Sequence, residues 1–200
     1  MKGRESYWVE QAAEGSEEGY RKILESYQRP VFSIVVRMVR DHGLAEDLTQ
    51  ETFVKAFRAL PSFDRGRKFS SWLFTIAHNT TIDHLRRKRL PTVSLDSQRA
   101  EDEGGYSLEN LAVAGEASPE EELSHTELGD ALEESLGRLR PEYAEVLILR
   151  FQEGLSYDEI SEITGLPLGT VKTHLYRARK ALAERLKKRG WSSSAVPSRR

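Results

Sequence analysis

LSYDEISEITGLPLGTVKTHLYRARKAL, residues 155–182, is the stretch whose reading decides the fold. Ser156 and, three residues on, Glu159 make a capping box that starts a helix. Ile160 and Ile163 point inward, Gly165 supplies a turn, and Pro167 restarts the chain at the next helix. At about 100° per residue, Val171, Leu175, Ala178 and Leu182 fall on one stripe of that second helix. Its opposite side presents Thr173, Tyr176, Arg177 and Lys180, with Lys172 and Arg179 on the flank. This is a helix-turn-helix: an apolar back holds the second helix while donors in front meet base edges and phosphates in a major groove. A solvated helix would explain the charges alone. The ordered cap, turn, proline and basic face together favour duplex DNA.

Outward from this motif the chain continues as helices. Leu128, Leu132, Leu136 and Leu139 make one stripe, and Pro141, well placed in a first turn, opens a helix ending near Phe151. Before them, residues 91–125 hold one basic residue, Arg99, against nine acids, together with Gly104-Gly105, Gly115 and Ser118-Pro119. Such composition predicts a flexible acidic linker over 91–126. It separates a helical domain over 1–90 from a helix-turn-helix domain over 127–190, with a flexible tail over 191–200. In the first domain Tyr20, Ile23, Leu24 and Tyr27 predict a helix, and Pro30 a break. Val31, Ile34, Val35, Met38 and Val39 predict a second helix, and Ala45, Leu48, Thr52, Phe53, Ala56, Phe57 and Leu60 a third. Phe69, Trp72, Leu73, Ile76 and Ala77 face inward on a fourth, which runs into the cluster Arg86-Arg87-Lys88-Arg89. No alternating strand pattern stands out. The predicted fold class is therefore all-α: two small helical domains, each with its own apolar stripes, expected to fold separately.

The net charge of −2 hides a segregation, since the acidic stretch carries −8 and the remainder +6. Much of that positive charge lies at Arg86 to Arg89 and Lys172 to Arg189, a distribution that invites nucleic acid. The absence of cysteine excludes disulfides and thiolate metal sites. His42, His78, His84, His125 and His174 lack ligand spacing, so no metal is expected; His78 reads as surface packing. Gly104-Gly105 lacks the lysine and strand of a phosphate loop, so no nucleotide cofactor or small-molecule substrate is expected either. Asp41, Asp64 and Asp83 are scattered like solvated helix ends, and the chain does not read as an enzyme. MKGRESYWVEQAAEG has no signal-peptide core, and Val31 to Val39 is broken by Ser33 and Arg37, which points to a cytoplasmic protein.

The wording of the sequence is more specific than its periodicity. GLSYDEI (154–160), PLGTVKT (167–173) and YRARKAL (176–182) resemble the promoter-reading domain of extracytoplasmic-function sigma factors. EDLTQETF (46–53), followed by Lys55-Ala56-Phe57, is similar to that family's polymerase-binding helix, and FSSWLFTIAHN (69–79) to its promoter-melting helix. Three motifs in the family's order cover nearly the whole chain. The resemblance implies that Asp47, Gln50 and Glu51 grip the clamp helices of the largest polymerase subunit, with the beta-flap as a further contact. It implies that Asn79 and the loop around Arg65, Lys68 and Phe69 meet the unpaired minus-ten strand, with Arg86 and Arg87 on phosphates. Polar groups beside aromatics suit such single-strand capture; Trp72 reads as core packing. Lys172, Thr173, Tyr176 and Arg177, flanked by Arg179 and Lys180, would face the minus-thirty-five duplex. Core RNA polymerase, promoter DNA and an anti-sigma factor are the implied partners, the last able to hold the chain at the inner membrane face. The acidic linker reads either as a hydrated spacer or, by resemblance, as a segment threading the polymerase cleft. The rival from another class is an autonomous helix-turn-helix repressor or activator, against which the 46–57 motif argues.

Overall fold

A computed structural model of the chain describes residues 2–89 and 119–190, with side chains described from 5 to 87 and from 128 to 190. The acidic stretch up to residue 118, the tail over 191–200 and the side chains of Lys88 and Arg89 lie outside the described residues. Eight α-helices and no strand occur among those described: α1 (Lys2–Ala13), α2 (Glu17–Val39), α3 (His42–Ala59), α4 (Phe69–Arg89), α5 (Pro119–Gly137), α6 (Pro141–Leu147), α7 (Tyr157–Thr164) and α8 (Leu168–Lys188). None is long and apolar enough to cross a membrane.

The N-terminal half departs from expectation at its start. Pro30 does not end a helix; it lies inside the single helix α2. An internal proline removes one backbone hydrogen bond and costs about 3 kcal/mol. Here Ile23 on one side and Val31, Ile34 and Val35 on the other are all buried, so a continuous apolar face offsets that cost. Helix α1, not anticipated, contributes Val9 and Ala12 to the core. It lies so close to α2 that a Cβ placed on Gly19 would stand 2.5 Å from the Ala12 nitrogen. Asp41 caps α3 by accepting the Leu44 N–H at 2.9 Å. Leu48, Phe53, Ala56 and Leu60 are buried as expected, and Phe74 joins Phe69, Leu73 and Ala77 beneath α4.

In the C-terminal half α5 begins at Pro119, so residues 119–126 of the stretch read as linker are helical. Its buried positions are Ala131 and Ser135, with Leu139 buried just beyond its end, while Leu128, Leu132 and Leu136 are only partly covered. Pro141 starts α6, which ends in a π-turn over Ile148–Gln152. The Ser156 hydroxyl accepts the Glu159 N–H at 3.1 Å and Glu159 accepts the Ser156 N–H at 2.7 Å, closing the capping box. Gly165 turns the chain at φ 67°, where a side chain would be strained. Beyond it, Val171, Leu175, Ala178 and Leu182 are buried on α8, with Leu186 extending the stripe.

The two halves do not stand apart. Helix α2 packs on α6, and α4 on α7. Arg37 of α2 is buried, donates to the Ser33 carbonyl and hydroxyl at 2.9 and 2.7 Å, and pairs with Glu133 of α5. Burial pushes the Arg37 guanidinium below its ordinary range, and Glu133 acts against that shift. Arg40 donates to the Leu139 carbonyl at 2.7 Å. His78 of α4 donates from Nδ1 to Glu145 of α6 at 2.6 Å, with side chains only 13% and 6% exposed. The reading of His78 as surface packing is thus replaced by a buried hydrogen-bonded position between halves.

Candidate nucleic-acid interface

Helix α8 places all six expected residues outward. Lys172, Thr173, Tyr176, Arg177, Arg179 and Lys180 are exposed, and Tyr176 is 70% exposed, an unusual position for an aromatic ring. The Thr173 hydroxyl donates to the Gly169 carbonyl at 2.8 Å, leaving its oxygen lone pairs outward. Arg177 lies beside the hydroxyl of Tyr143 on α6; that guanidinium, with Arg140 second, holds the phenol below its ordinary range. The Tyr143 ring also meets His174 edge-on at 5.1 Å, so α6 buttresses α8. Arg179 lies over the exposed ring of Phe151 at 5.9 Å. Phe151 was not singled out from the sequence, where it reads only as the end of a helix.

The single-strand candidates divide differently. Asp64 shapes the loop before α4: its side chain accepts the Gly66 N–H at 2.9 Å and its carbonyl the Arg67 N–H at 3.0 Å. That turn projects Arg65, Arg67 and Lys68, all exposed. Phe69 does not join them. It is 4% exposed and packs among Tyr27, Phe63 and Trp72 at centroid distances of 5.5 to 5.6 Å, so it supports the loop from beneath and offers no face to a base. Trp72 packs on Phe63 at 4.9 Å, in keeping with a core role. Asn79 and Arg86 are exposed seven residues apart on α4, hence on one face, with Arg87 alongside. Arg67 is a cation of the loop that the residue-by-residue reading passed over; the run Arg65-Gly66-Arg67-Lys68 was the available signal.

On α3, Asp47, Gln50 and Glu51 are exposed opposite the buried Leu48, Thr52 and Phe53. Glu51 pairs with Lys55 at 2.8 Å, and Lys55 in turn donates to Thr80 at 3.2 Å, tying this face to α4. Val54, 47% exposed, lies on the same side at the spacing i+3 from Glu51 and i+7 from Asp47. An apolar residue left open between polar ones suits a protein partner better than water.

The chain matches the family models Sigma-70 region 2 over residues 23–90 and Sigma-70, region 4 over residues 129–182. It is 35% identical over 179 residues to the ECF RNA polymerase sigma factor SigW of Bacillus subtilis, covering 90% of this chain and 95% of that one. It is 34% identical over 177 residues to the ECF RNA polymerase sigma-E factor of Escherichia coli, covering 87% and 90%. Among solved structures, the sigma factor RpoE in complex with the anti-sigma factor NepR from Bartonella quintana is similar at a TM-score of 0.60 and 25% identity, covering 84% of this chain and 96% of that one. Motifs, helix order and relatives agree: this protein belongs to the extracytoplasmic-function sigma factors, which direct RNA polymerase to promoters.

Proposed function

We propose that the three exposed surfaces divide the work of initiation. Asp47, Gln50 and Glu51, with Val54, dock on the clamp helices of core polymerase, while the C-terminal half meets the beta-flap. Arg65, Arg67 and Lys68, with Asn79, Arg86 and Arg87, hold the melted minus-ten strand. Lys172, Thr173, Tyr176, Arg177, Arg179 and Lys180 read the minus-thirty-five duplex. Residues 1–90 and 127–190 are the units that carry these tasks, and RNA synthesis belongs to the polymerase. An anti-sigma factor, as seen on the Bartonella quintana relative, would hold this chain inactive in the cytoplasm or at the membrane's inner face.

The observation that supports this division best is α8, where an apolar stripe is buried and the entire basic and aromatic row opposite it is open. Run-off transcription with core polymerase and genomic fragments tests it. Wild-type chain is expected to give discrete products that Tyr176→Ala abolishes. Gln50→Ala with Glu51→Ala is expected to lose core polymerase in a pull-down while keeping its helical circular dichroism. Duplex binding with no effect on polymerase initiation would instead indicate an autonomous regulator.

A further inference from the structure

Residues 144–149 are buried in succession, yet two positions later the Phe151 ring is 50% exposed. The cause is local. In a continued α-helix Phe151, three residues past Ile148 and four past Leu147, would share their buried face. The chain instead widens into the π-turn over Ile148–Gln152, where the Glu153 N–H reaches back five residues to the Ile148 carbonyl at 3.0 Å. Each residue of that wider turn lags the α spacing, so the ring swings off the buried face. Single π-turns of this kind recur at functional sites.

The open ring has its partner on α8. The Arg179 guanidinium lies over it at 5.9 Å, a distance at which a ring face attracts a cation. Other arginines of this half are already committed. Arg138 and Arg189 both pair with Glu134, and Arg150 donates to the Leu155 carbonyl at 2.7 Å and lies over Tyr157 at 5.0 Å. Arg179, by contrast, forms no ion pair among the described residues, so its charge is open to an anion. It stands three residues from Tyr176 and seven from Lys172, and the three share one edge of the exposed row. The opposite edge is braced from the same stretch of chain, where Tyr143 of α6 meets His174. Helix α6 and its π-turn thus bracket α8 on both sides.

We propose that Phe151 is a positioning residue for duplex binding: its ring holds the Arg179 guanidinium at the edge of α8, where it meets a backbone phosphate beside the bases that α8 reads. This rests on the reading of α8 as the duplex face. An arginine on a free stem must be ordered when it meets a phosphate, and a ring that has already placed it lowers that cost. The attraction to the ring uses the positive charge and no N–H donor, so the donors remain for phosphate oxygens. Phosphates carry no sequence information directly. Phe151 therefore adds affinity alike on all duplexes and leaves base preference to the rest of the row.

The test uses the full chain assembled with core polymerase and a labelled duplex from a fragment that gives run-off product, followed by fluorescence anisotropy. Phe151→Leu keeps apolar bulk but removes the π face, whereas Phe151→Tyr keeps both. Phe151→Leu is expected to weaken binding about threefold to fivefold, on this duplex and on versions with altered minus-thirty-five bases alike. Phe151→Tyr is expected to bind within about twofold of wild type. In an Arg179→Ala background the leucine substitution is expected to have no further effect, an outcome that mere loss of packing around Phe151 would not give. Equal losses in both backgrounds, or wild-type binding by Phe151→Leu, would overturn the positioning role alone so long as Tyr176→Ala still weakens binding. Loss of core polymerase from Phe151→Leu in a pull-down would also overturn it and make the ring a protein contact. Binding unchanged by Tyr176→Ala and by Arg177→Ala would overturn the reading of α8, and the role of Phe151 with it.

Discussion

Removing Glu133 is expected to cost more than removing its partner Arg37. The Arg37 side chain is 4% exposed, whereas that of Glu133 is 25% exposed. The Arg37 Nε already lacks a hydrogen-bond partner. Glu133→Ala therefore leaves a guanidinium buried with only the Ser33 oxygens to solvate it. Breaking a fully buried pair this way costs about 3–5 kcal/mol, and water entering past the partly open Glu133 site lowers that to about 2–3 kcal/mol. Arg37→Met leaves a carboxylate that water can reach and fills the space with an adaptable apolar chain, for about 1 kcal/mol. The double variant Arg37→Met with Glu133→Leu removes both charges and is expected within about 1 kcal/mol of wild type. With Glu133→Leu as the matching single, which strands the same guanidinium, the singles and the double then differ from additivity by about 2 kcal/mol.

Urea unfolding followed by far-ultraviolet circular dichroism measures each variant, and the m-value adds a second reading. Arg37 lies on α2 and Glu133 on α5, so the chain has an escape: the halves can part and hydrate the guanidinium. The cost of Glu133→Ala cannot exceed the cost of parting them. Additive singles, or equal losses from the two, would refute the buried pairing and with it the closed arrangement of the halves.

Further outcomes follow from local geometry. Gly19→Ala would place its Cβ 2.5 Å from the Ala12 nitrogen and 2.9 Å from the Trp8 carbonyl oxygen, both backbone atoms; overpacking of about 1–3 kcal/mol outweighs the helix propensity gained, and a thermal melt should show a lowered Tm. Burial raises the Glu153 carboxyl above its ordinary 4.5, against the pull of Lys68, so the folded state favours the protonated form. Stability from this group is present below pH 4.5 and is lost as pH rises through the folded value; Glu153→Gln should therefore raise Tm at neutral pH and leave it unchanged in acid, as melts across pH would show. Arg177→Ala should cost about 1–3 kcal/mol on the preferred duplex and relax one base position, whereas Lys180→Ala should weaken all duplexes alike and lower the salt slope by about one, both read by anisotropy.

Which parts of this molecule were legible in the sequence follows from the range of the interactions that make them. The capping box from Ser156 to Glu159, the turn at Gly165 and the stripe of Val171, Leu175, Ala178 and Leu182 are built from neighbours within about one or two turns, and a periodic pattern reports such relations directly. Pro30 misled because a local rule met a tertiary one: the apolar face of α2 runs on through it, and packing outweighs the lost bond. Phe69 misled for a related reason, since an aromatic residue beside basic ones has the same local signature whether it faces a base or the core. Tyr27, from a different helix, and Phe63, from before the loop, settle that it packs inward. His78 and Glu145 are 67 residues apart, and Arg37 and Glu133 are 96 apart. Neither member carries a local mark of its partner, and charged residues are ordinarily solvated. The contact between halves was therefore invisible to periodicity, although it sets Arg67 and Lys68 against the carboxylates of Glu162 and Glu159. Surfaces that act alone, such as the α8 row, can be read from one helix. A surface whose state depends on a second element requires the fold.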